Sequence, residues 1–335
     1  MDWSQIDWEA VQRLRSRFLG GEVGGADYWL GPNDLVTYDQ TFGRRIAWKW
    51  NFVLGELRAR GWSPPPGPVL DWACGTGVAA RAFLEHFGPD AAPAGLHLTD
   101  RSALAMKYAA EQVRAAHPGA HVHTGMPGAG GTGDIGTLLV SHVLTELPPA
   151  QRAALEALAR RAAAVLWVEP GTHLASRALI DMRERLRAGF TILAPCTHQE
   201  VCGLLAPENA RHWCHHFAES PQEVYIERDW ARFGQLAGID LRSLPLAHLV
   251  LDRRPGLLGP ALAPPDVAVR VIGRPRMLKA MALVMGCDAS GVREYRLMKR
   301  VLPEVFRAIK RDDLPTLQAW QRDGAEITAL RPLVG

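Results

Sequence analysis

A stretch rich in cysteine and histidine, APCTHQEVCGLLAPENARHWCHHF (194–217), carries the residues with the most obvious chemistry. Cys196, Cys202 and Cys214 follow the spacing C-x5-C-x11-C, and they are three of the five cysteines in the chain. In a chain outside an oxidising compartment, clustered cysteines bind metal more often than they form disulfides. The sequence therefore predicts a metal site in this stretch.

The fourth ligand of such a site must come from elsewhere. Cys287 ends the strand-like segment AMALVMGC, whereas Cys74 lies in a glycine-rich turn. Four thiolates suit a tetrahedral zinc ion or an iron–sulfur cluster. Three alternative ligands could instead complete a Cys3His zinc site: His198, His215 and His216. The plainer interpretation is that the cysteines are small buried apolar residues.

A second candidate site is the turn LDWACGTG (70–77), which joins a predicted strand to a predicted helix. Its glycines would let the backbone approach a ligand, and Asp100, after the next strand, could accept both ribose hydroxyls of an adenosine. The turn resembles the first motif of class I S-adenosylmethionine (SAM)-dependent methyltransferases, with Ala73 in place of a glycine. The predicted cofactor-binding residues are Asp71, Ala73, Gly75, Thr76, Gly77, Asp100, Arg101, Ser141 and His142.

The segment SHVLTEL (141–147) follows the fourth predicted strand, where amino-methylating enzymes of this fold often carry [DN]PP[YF]. That clamp is absent here. His142 could serve as a base, but we interpret it as a residue of the pocket wall or a ligand contact. The sequence identifies no catalytic residue, so the catalytic residues are unknown.

The hydrophobic pattern along the chain predicts the strands and helices that would position these residues. Strands alternating with helices predict an α/β fold with a Rossmann-like, doubly wound sheet. The predicted regions are an N-terminal helical region (1–62), a methyltransferase core (63–170), a metal-binding insertion (171–223), the return to the core (224–252) and a small C-terminal β-rich region with a tail helix (253–335). Residues 301–330 are predicted to be helical.

Composition narrows the function classes. The chain has 335 residues, 47% hydrophobic and 22% charged, with a formal net charge of +3. The sequence has no apolar run long enough to predict a membrane span, and its N-terminus does not have the pattern of a secretory signal. We therefore expect a cytoplasmic protein. Four basic segments (44–50, 253–258, 270–279 and 293–300) are either solvated surface or a patch facing RNA.

Three strings in a fixed order, EPGT, APC-x-H and WCH-x-F, followed by a late cysteine, are more specific than the glycine turn. They resemble the mitochondrial small-ribosomal-subunit methyltransferase-like family and its bacterial relatives, over about residues 40–300. The resemblance implies a SAM-fold assembly factor whose partner is the small ribosomal subunit or its rRNA. It also implies a [4Fe–4S] cluster held by Cys196, Cys202, Cys214 and Cys287.

Departures from the family pattern leave the activity open. Thr197 and Gly203 replace family prolines, and the basic segment expected after WCHF is reduced to VYIERDWAR. We expect a SAM-binding, cluster-containing protein that either methylates rRNA or acts as an assembly factor. The alternatives are a non-catalytic RNA-binding factor with a structural zinc, or a small-molecule methyltransferase.

Overall fold

The computed structural model describes residues 2–20, 29–127, 135–257 and 262–333. The helices are α1 Trp8–Gly20, α2 Pro32–Tyr38, α3 Arg44–Ala59, α4 Val78–Phe87, α5 Ala103–Ala116, α6 Pro149–Ala159, α7 His173–Leu186, α8 Glu223–Ile226, α9 Arg228–Ala237 and α10 Pro303–Lys310. The strands are β1 Val69–Trp72, β2 Leu96–Thr99, β3 Val122–Thr124, β4 Ile135–Ser141, β5 Ala162–Pro170, β6 Thr191–Ala194, β7 His216–Ala218, β8 Leu244–Asp252, β9 Val267–Met277, β10 Met281–Asp288, β11 Gly291–Met298, β12 Leu317–Asp323 and β13 Glu326–Pro332.

The chain divides into two compact units. The first unit contains Met1–Pro170 and Phe217–Leu246, and the second contains Gly171–His216 and Ala247–Gly335. The glycine turn therefore belongs to the first unit, and the four candidate ligand cysteines belong to the second. None of the helices in the described ranges is long and apolar enough to cross a membrane.

Parallel strands form the centre of the first unit, in the order β3-β2-β1-β4-β5. Six of the seven residues of β4 are buried, as are seven of the nine in β5. Such continuous apolar strands need cover on both faces, which the helices between successive strands can provide. This arrangement confirms the predicted α/β fold with a parallel sheet.

The N-terminal helices of the first unit pack on α9 through aromatic side chains. A turn of π-helix, Asp39–Gly43, joins α2 to α3 and carries Phe42. The Phe42 ring meets that of Phe233 edge to face, with 5.0 Å between centroids, and Trp230 and Leu14 are fully buried beside them. The predicted N-terminal helices are thus confirmed for the described residues.

A closed five-stranded barrel of β9 to β13 occupies much of the second unit. Trp320, Tyr295 and Leu297 fill its interior. The helix predicted over 301–330 is confirmed only for Pro303–Lys310. Beyond it the prediction is wrong, because β12 and β13 form an antiparallel hairpin whose two turn residues are Gly324 and Ala325.

Candidate functional site

In the first unit, the carboxyl ends of β1, β2 and β4 enclose a cavity of about 420 Å³. Ligands bind at this edge of open parallel sheets, and the volume falls in the range of small-molecule sites. Six of the nine predicted cofactor residues line the cavity, namely Ala73, Gly75, Asp100, Arg101, Ser141 and His142. The other three, Asp71, Thr76 and Gly77, do not line it.

The glycine turn owes its shape to backbone conformations that favour glycine. Gly75 has φ of 51° and Gly77 has φ of 76°. A Cβ added to Gly77 would lie 3.0 Å from the Cβ of Ala109 on α5, so this position has no room for a side chain. The Gly75 N–H donates to Oδ2 of Asp100 at 2.9 Å, and Oδ1 of Asp100 accepts from the Ser102 N–H. Asp100 therefore fixes the turn while it lines the cavity.

Ala73 adopts the same left-handed backbone region, with φ of 55°. This conformation costs an L-residue with a Cβ roughly 1–2 kcal/mol. The residue lines the cavity, so its methyl group faces the space where a ligand would lie. That the methyl group crowds the methionine end of SAM remains a prediction.

Asp71 and Thr76 lie beneath the turn, and each is 1% exposed. Oδ2 of Asp71 accepts the Ala80 N–H from the first turn of α4 at 3.1 Å. Its Oδ1 and the Thr76 hydroxyl have no hydrogen-bond partner among the described residues. Burial raises the pKa of Asp71 to about 7. Asp71 therefore connects β1 to α4 beneath the turn, and its contact with a cofactor stays a prediction.

His142 is held in the cavity wall by two polar neighbours. Its Nε2 lies 3.3 Å from Nζ of Lys49 on α3, and its Nδ1 lies 3.2 Å from the Ser141 hydroxyl. The Trp50 indole donates to that hydroxyl at 3.0 Å. His142 also has a positive φ, 53°. Both ring nitrogens are therefore engaged inside the protein.

The protonation states of His142 and Lys49 follow from their burial. Burial, then Lys49 and Arg45, hold the pKa of His142 well below its ordinary value. Burial and Arg45 also lower the pKa of Lys49 to about 7. A neutral imidazole has one N–H, so either Lys49 donates to Nε2 while Nδ1–H donates to Ser141, or both donations reverse. His142 can thus help to shape the cavity and orient a ligand, while its two ring nitrogens contact Lys49 and Ser141.

Aromatic residues from the N-terminal region complete the cavity, and no sequence motif predicts their place there. Trp29 and Tyr38 line it, with their rings edge to face at 5.2 Å. Both precede the sheet in the chain, within a region predicted only as helical. An aromatic ring in the cavity wall suits the face of an adenine or of another base.

The four candidate metal ligands all belong to the second unit. Cys196 lies two residues after β6, and Cys202 precedes a short helical turn. Cys214 precedes β7, and Cys287 lies within β10. Cys202, Cys214 and Cys287 share one apolar cluster, in which Cys202 and Cys287 are each 7% exposed. Folding therefore brings together cysteines that are up to 91 positions apart.

Electrostatic effects link the four sulfurs. Burial raises the pKa of Cys202 to about 11, and Cys196 adds to this increase. Burial also raises the pKa of Cys214 well above its ordinary value, and the other three cysteines contribute. Nε of Arg183, on α7, donates to Sγ of Cys196 at 3.3 Å. Buried thiols of this kind stay protonated alone, and a bound metal would take them as thiolates.

Two buried histidines border the cysteine cluster. His198 Nε2 lies 3.7 Å from the Cys287 sulfur, and His216 Nε2 lies 3.6 Å from the Cys214 sulfur. The Nδ1 atom of each ring is buried without a hydrogen-bond partner within the described part of the chain. Such orphaned polar atoms are unusual in a packed interior.

The predicted metal site is not shown by the described residues. Cys196, Cys202 and Cys214 border a cavity of about 30 Å³. Among the described residues, no three His, Cys, Asp or Glu side chains stand close enough to hold one metal ion. A structural zinc needs four ligands within its short coordination distances, which this arrangement does not provide. Four cysteine thiols are the donor set of a four-iron cluster, so that cluster stays a prediction that rests on the chemistry of these residues.

Solved structures with a similar fold include several methyltransferases. The magnesium protoporphyrin IX methyltransferase of Synechocystis PCC 6803 is 12% identical; the match covers 74% of this chain and 100% of that one, with a TM-score of 0.40. The putative RNA methyltransferase PH1948 of Pyrococcus horikoshii is 11% identical, with 73% and 97% covered and a TM-score of 0.39. At these values the likeness carries no argument about function.

Family comparison is more informative. No curated protein is a significant match to the chain. The model of a family described as mitochondrial small ribosomal subunit Rsm22 matches residues 54–312. This span includes the glycine turn, the cavity wall at His142 and all four cysteines of the second unit. Because the match covers more than half of the sequence, the chain belongs to the Rsm22 family.

Proposed function

We propose that the protein binds SAM in the cavity of the first unit and methylates RNA of the small ribosomal subunit. The observation that carries this proposal is the cavity at the carboxyl ends of β1, β2 and β4, where Gly75 is held by Asp100. Asp100 would accept the ribose hydroxyls, and Trp29 with Tyr38 would cover the base. Membership of a family named for the small ribosomal subunit supports the choice of RNA.

The reaction would depend mainly on positioning. Methyl transfer needs a nucleophile in line with the methyl group, at close range, and a dry site. His142, kept neutral and fixed by Lys49 and Ser141, would orient the acceptor beside the sulfonium. The [DN]PP[YF] clamp is missing at 141–147, so an exocyclic amine would need another means of positioning.

Transfer of labelled methyl groups from SAM to purified small-subunit rRNA tests this proposal. The wild-type protein should label the RNA, and Asp100→Ala should abolish labelling. Asp90→Ala, which removes an exposed carboxylate after α4, should leave labelling unchanged. If SAM binds without any labelling, the protein is the alternative, a non-catalytic assembly factor. Labelling of small molecules but not of RNA would contradict the ribosomal acceptor.

We also propose that Cys196, Cys202, Cys214 and Cys287 hold a [4Fe–4S] cluster in the second unit. Support comes from the shared neighbourhood of four sulfurs and from the buried guanidinium of Arg183 beside Cys196. When bound, the cluster would join the cysteine stretch to the barrel strand β10, and its binding energy would contribute to folding. Zinc is the alternative that the sequence leaves open, although the described side chains as placed do not form a zinc site.

Anaerobic purification with iron and sulfide analysis tests the cluster. The wild-type protein should be brown, with about four irons and four sulfides per chain. Cys287→Ala should lose the colour, whereas the matched variant Cys74→Ala, altered in the first unit, should keep it. A colourless protein with one zinc would contradict the proposal. Cytoplasmic location stays a prediction, since the matching family is described as mitochondrial.

A further inference from the structure

The barrel of the second unit has a connectivity that is informative in itself. Around the barrel the strands follow the order β9-β10-β11-β13-β12, and β12 closes on β9. The β11–β13 pair is parallel, and α10 lies between β11 and β12 in the chain. Numbered from one, this is the 1-2-3-5-4 order of the OB-fold, a barrel whose second and third strands often bind oligonucleotides. Fold alone does not establish function, so a binding role for the barrel must rest on the residues at its surface.

Alternation along β10 separates the inner and outer faces of the barrel. Ala282 and Val284 point into the core, so Met281, Leu283 and Cys287 face outward. At the Cys287 end, the outer face is covered by the cysteine stretch. Gly203 packs so closely there that an added Cβ would lie 2.7 Å from the backbone nitrogen of Val292. The cysteine stretch thus occupies one end of this face.

The other end of the face is uncovered and basic. Arg276 on β9 and Arg296 on β11 both lie in register with Leu283 on β10. The three side chains therefore form one row across the sheet, with a half-buried leucine between two exposed arginines. Met281 pairs with Met298 in the neighbouring row.

The turns beside these rows add more positive charge. Lys279 is exposed in the β9–β10 turn, and Lys299 and Arg300 are exposed after β11. The Lys299 N–H donates to the Ala280 carbonyl at 2.9 Å, which brings the two turns together. Glu294 contributes a negative charge and lies 3.6 Å from Arg276. We name the uncovered surface formed by Arg276, Lys279, Met281, Leu283, Arg296, Met298, Lys299 and Arg300 the barrel face.

We propose that the barrel face binds single-stranded RNA. Guanidinium groups can contact phosphates and stack on unpaired bases, and apolar side chains between them can support a base plane. In a duplex the bases are paired and stacked on each other, so their planes would not be available to these side chains. The proposal deepens the ribosomal RNA partner proposed above, and it is independent of methyl transfer and of the cluster.

Fluorescence anisotropy with a labelled single-stranded oligoribonucleotide of about 12 nucleotides tests the proposal, since OB-folds contact roughly 4–16 nucleotides. The full-length protein should bind it, and the variant Arg276→Gln/Arg296→Gln should bind roughly tenfold more weakly near 0.1 M salt. Loss of two phosphate contacts should also reduce the slope of log K against log salt by about 1.4.

The matched control is Arg307→Gln/Arg311→Gln, which removes the same charge from exposed positions on and just after α10. It should retain nearly wild-type affinity. Equal weakening by both double variants, or equal affinity for a duplex of the same sequence, would overturn the proposal. So would a barrel-face variant that keeps its RNA affinity but no longer associates with small subunits, because the face would then bind protein. Failure of methyl transfer alone would leave RNA binding intact.

Discussion

Replacing the buried Lys49 with methionine tests the electrostatics of the cavity wall. The pKa of Lys49 is lowered from 10.5 to about 7, first by burial and then by Arg45. Below pH 7 the folded protein must hold this charge in its interior. At about 1.36 kcal/mol per pKa unit, the cost is on the order of 5 kcal/mol. The cost falls as pH rises from 7 to 10.5, because folded Lys49 is neutral there while the unfolded chain still binds the proton.

Methionine keeps the apolar stem but loses the charge and the contact with His142, and a lost hydrogen bond costs about 1 kcal/mol. We therefore predict that Lys49→Met is more stable than wild type by roughly 2–4 kcal/mol at about pH 6.5. The advantage should shrink towards about pH 9.5, where the Lys49 charge is largely absent from the folded wild-type protein. The variant should also label rRNA poorly, since His142 loses its support.

Urea unfolding followed by tryptophan fluorescence at both pH values measures this difference. Taking the difference between variant and wild type removes other titrations, such as that of Glu169, whose pKa burial raises to about 7. Lys107→Met, at an exposed position of α5, is the control and should change stability by less than about 0.5 kcal/mol. A wild type that is more stable at neutral pH, or a difference independent of pH, would refute the reasoning.

Two further predictions concern the second unit. Arg183→Gln removes the N–H donor to Cys196 and should lower the midpoint potential of a bound cluster, measured by redox titration. Arg187→Gln, which removes a guanidinium paired with Glu184, should leave the potential unchanged, and equal shifts in the two variants would contradict a specific role for Arg183. Gly203→Ala should destabilise the protein by about 1–3 kcal/mol in urea unfolding, because the added Cβ would overlap the backbone at Val292. An unchanged urea midpoint would show that the cysteine stretch can move away from the barrel at no cost.

Much of the first unit could be predicted from sequence because its signals are local. The strand ending at Trp72, the glycines after it and the helix that follows lie within a short window, and the parallel sheet follows from repeated alternation. The position of Asp100 at the cavity follows from the same logic, since carboxyl ends of neighbouring parallel strands share one edge.

Other features depend on contacts between distant residues. Lys49 meets His142 across 93 positions, and nothing in the helix around Lys49 indicates that its amine is buried. The β12–β13 hairpin was missed because its short turn at Gly324 and Ala325 was assigned to a helix, although a glycine between two strand-like runs can mark a hairpin. Cys287 could be named as a ligand only by elimination and resemblance, and its pairing with Arg270 across β9 and β10 required the register.

Calorimetric titration of the full-length protein with SAM and with S-adenosylhomocysteine tests the central claim most directly. We predict one binding site per chain for each ligand, loss of binding in Asp100→Ala, and tighter binding in Ala73→Gly, which relieves the positive φ and removes the methyl group from the cavity. Asp90→Ala should bind like wild type. Absence of binding by both the wild-type protein and Ala73→Gly would contradict a SAM site in this cavity.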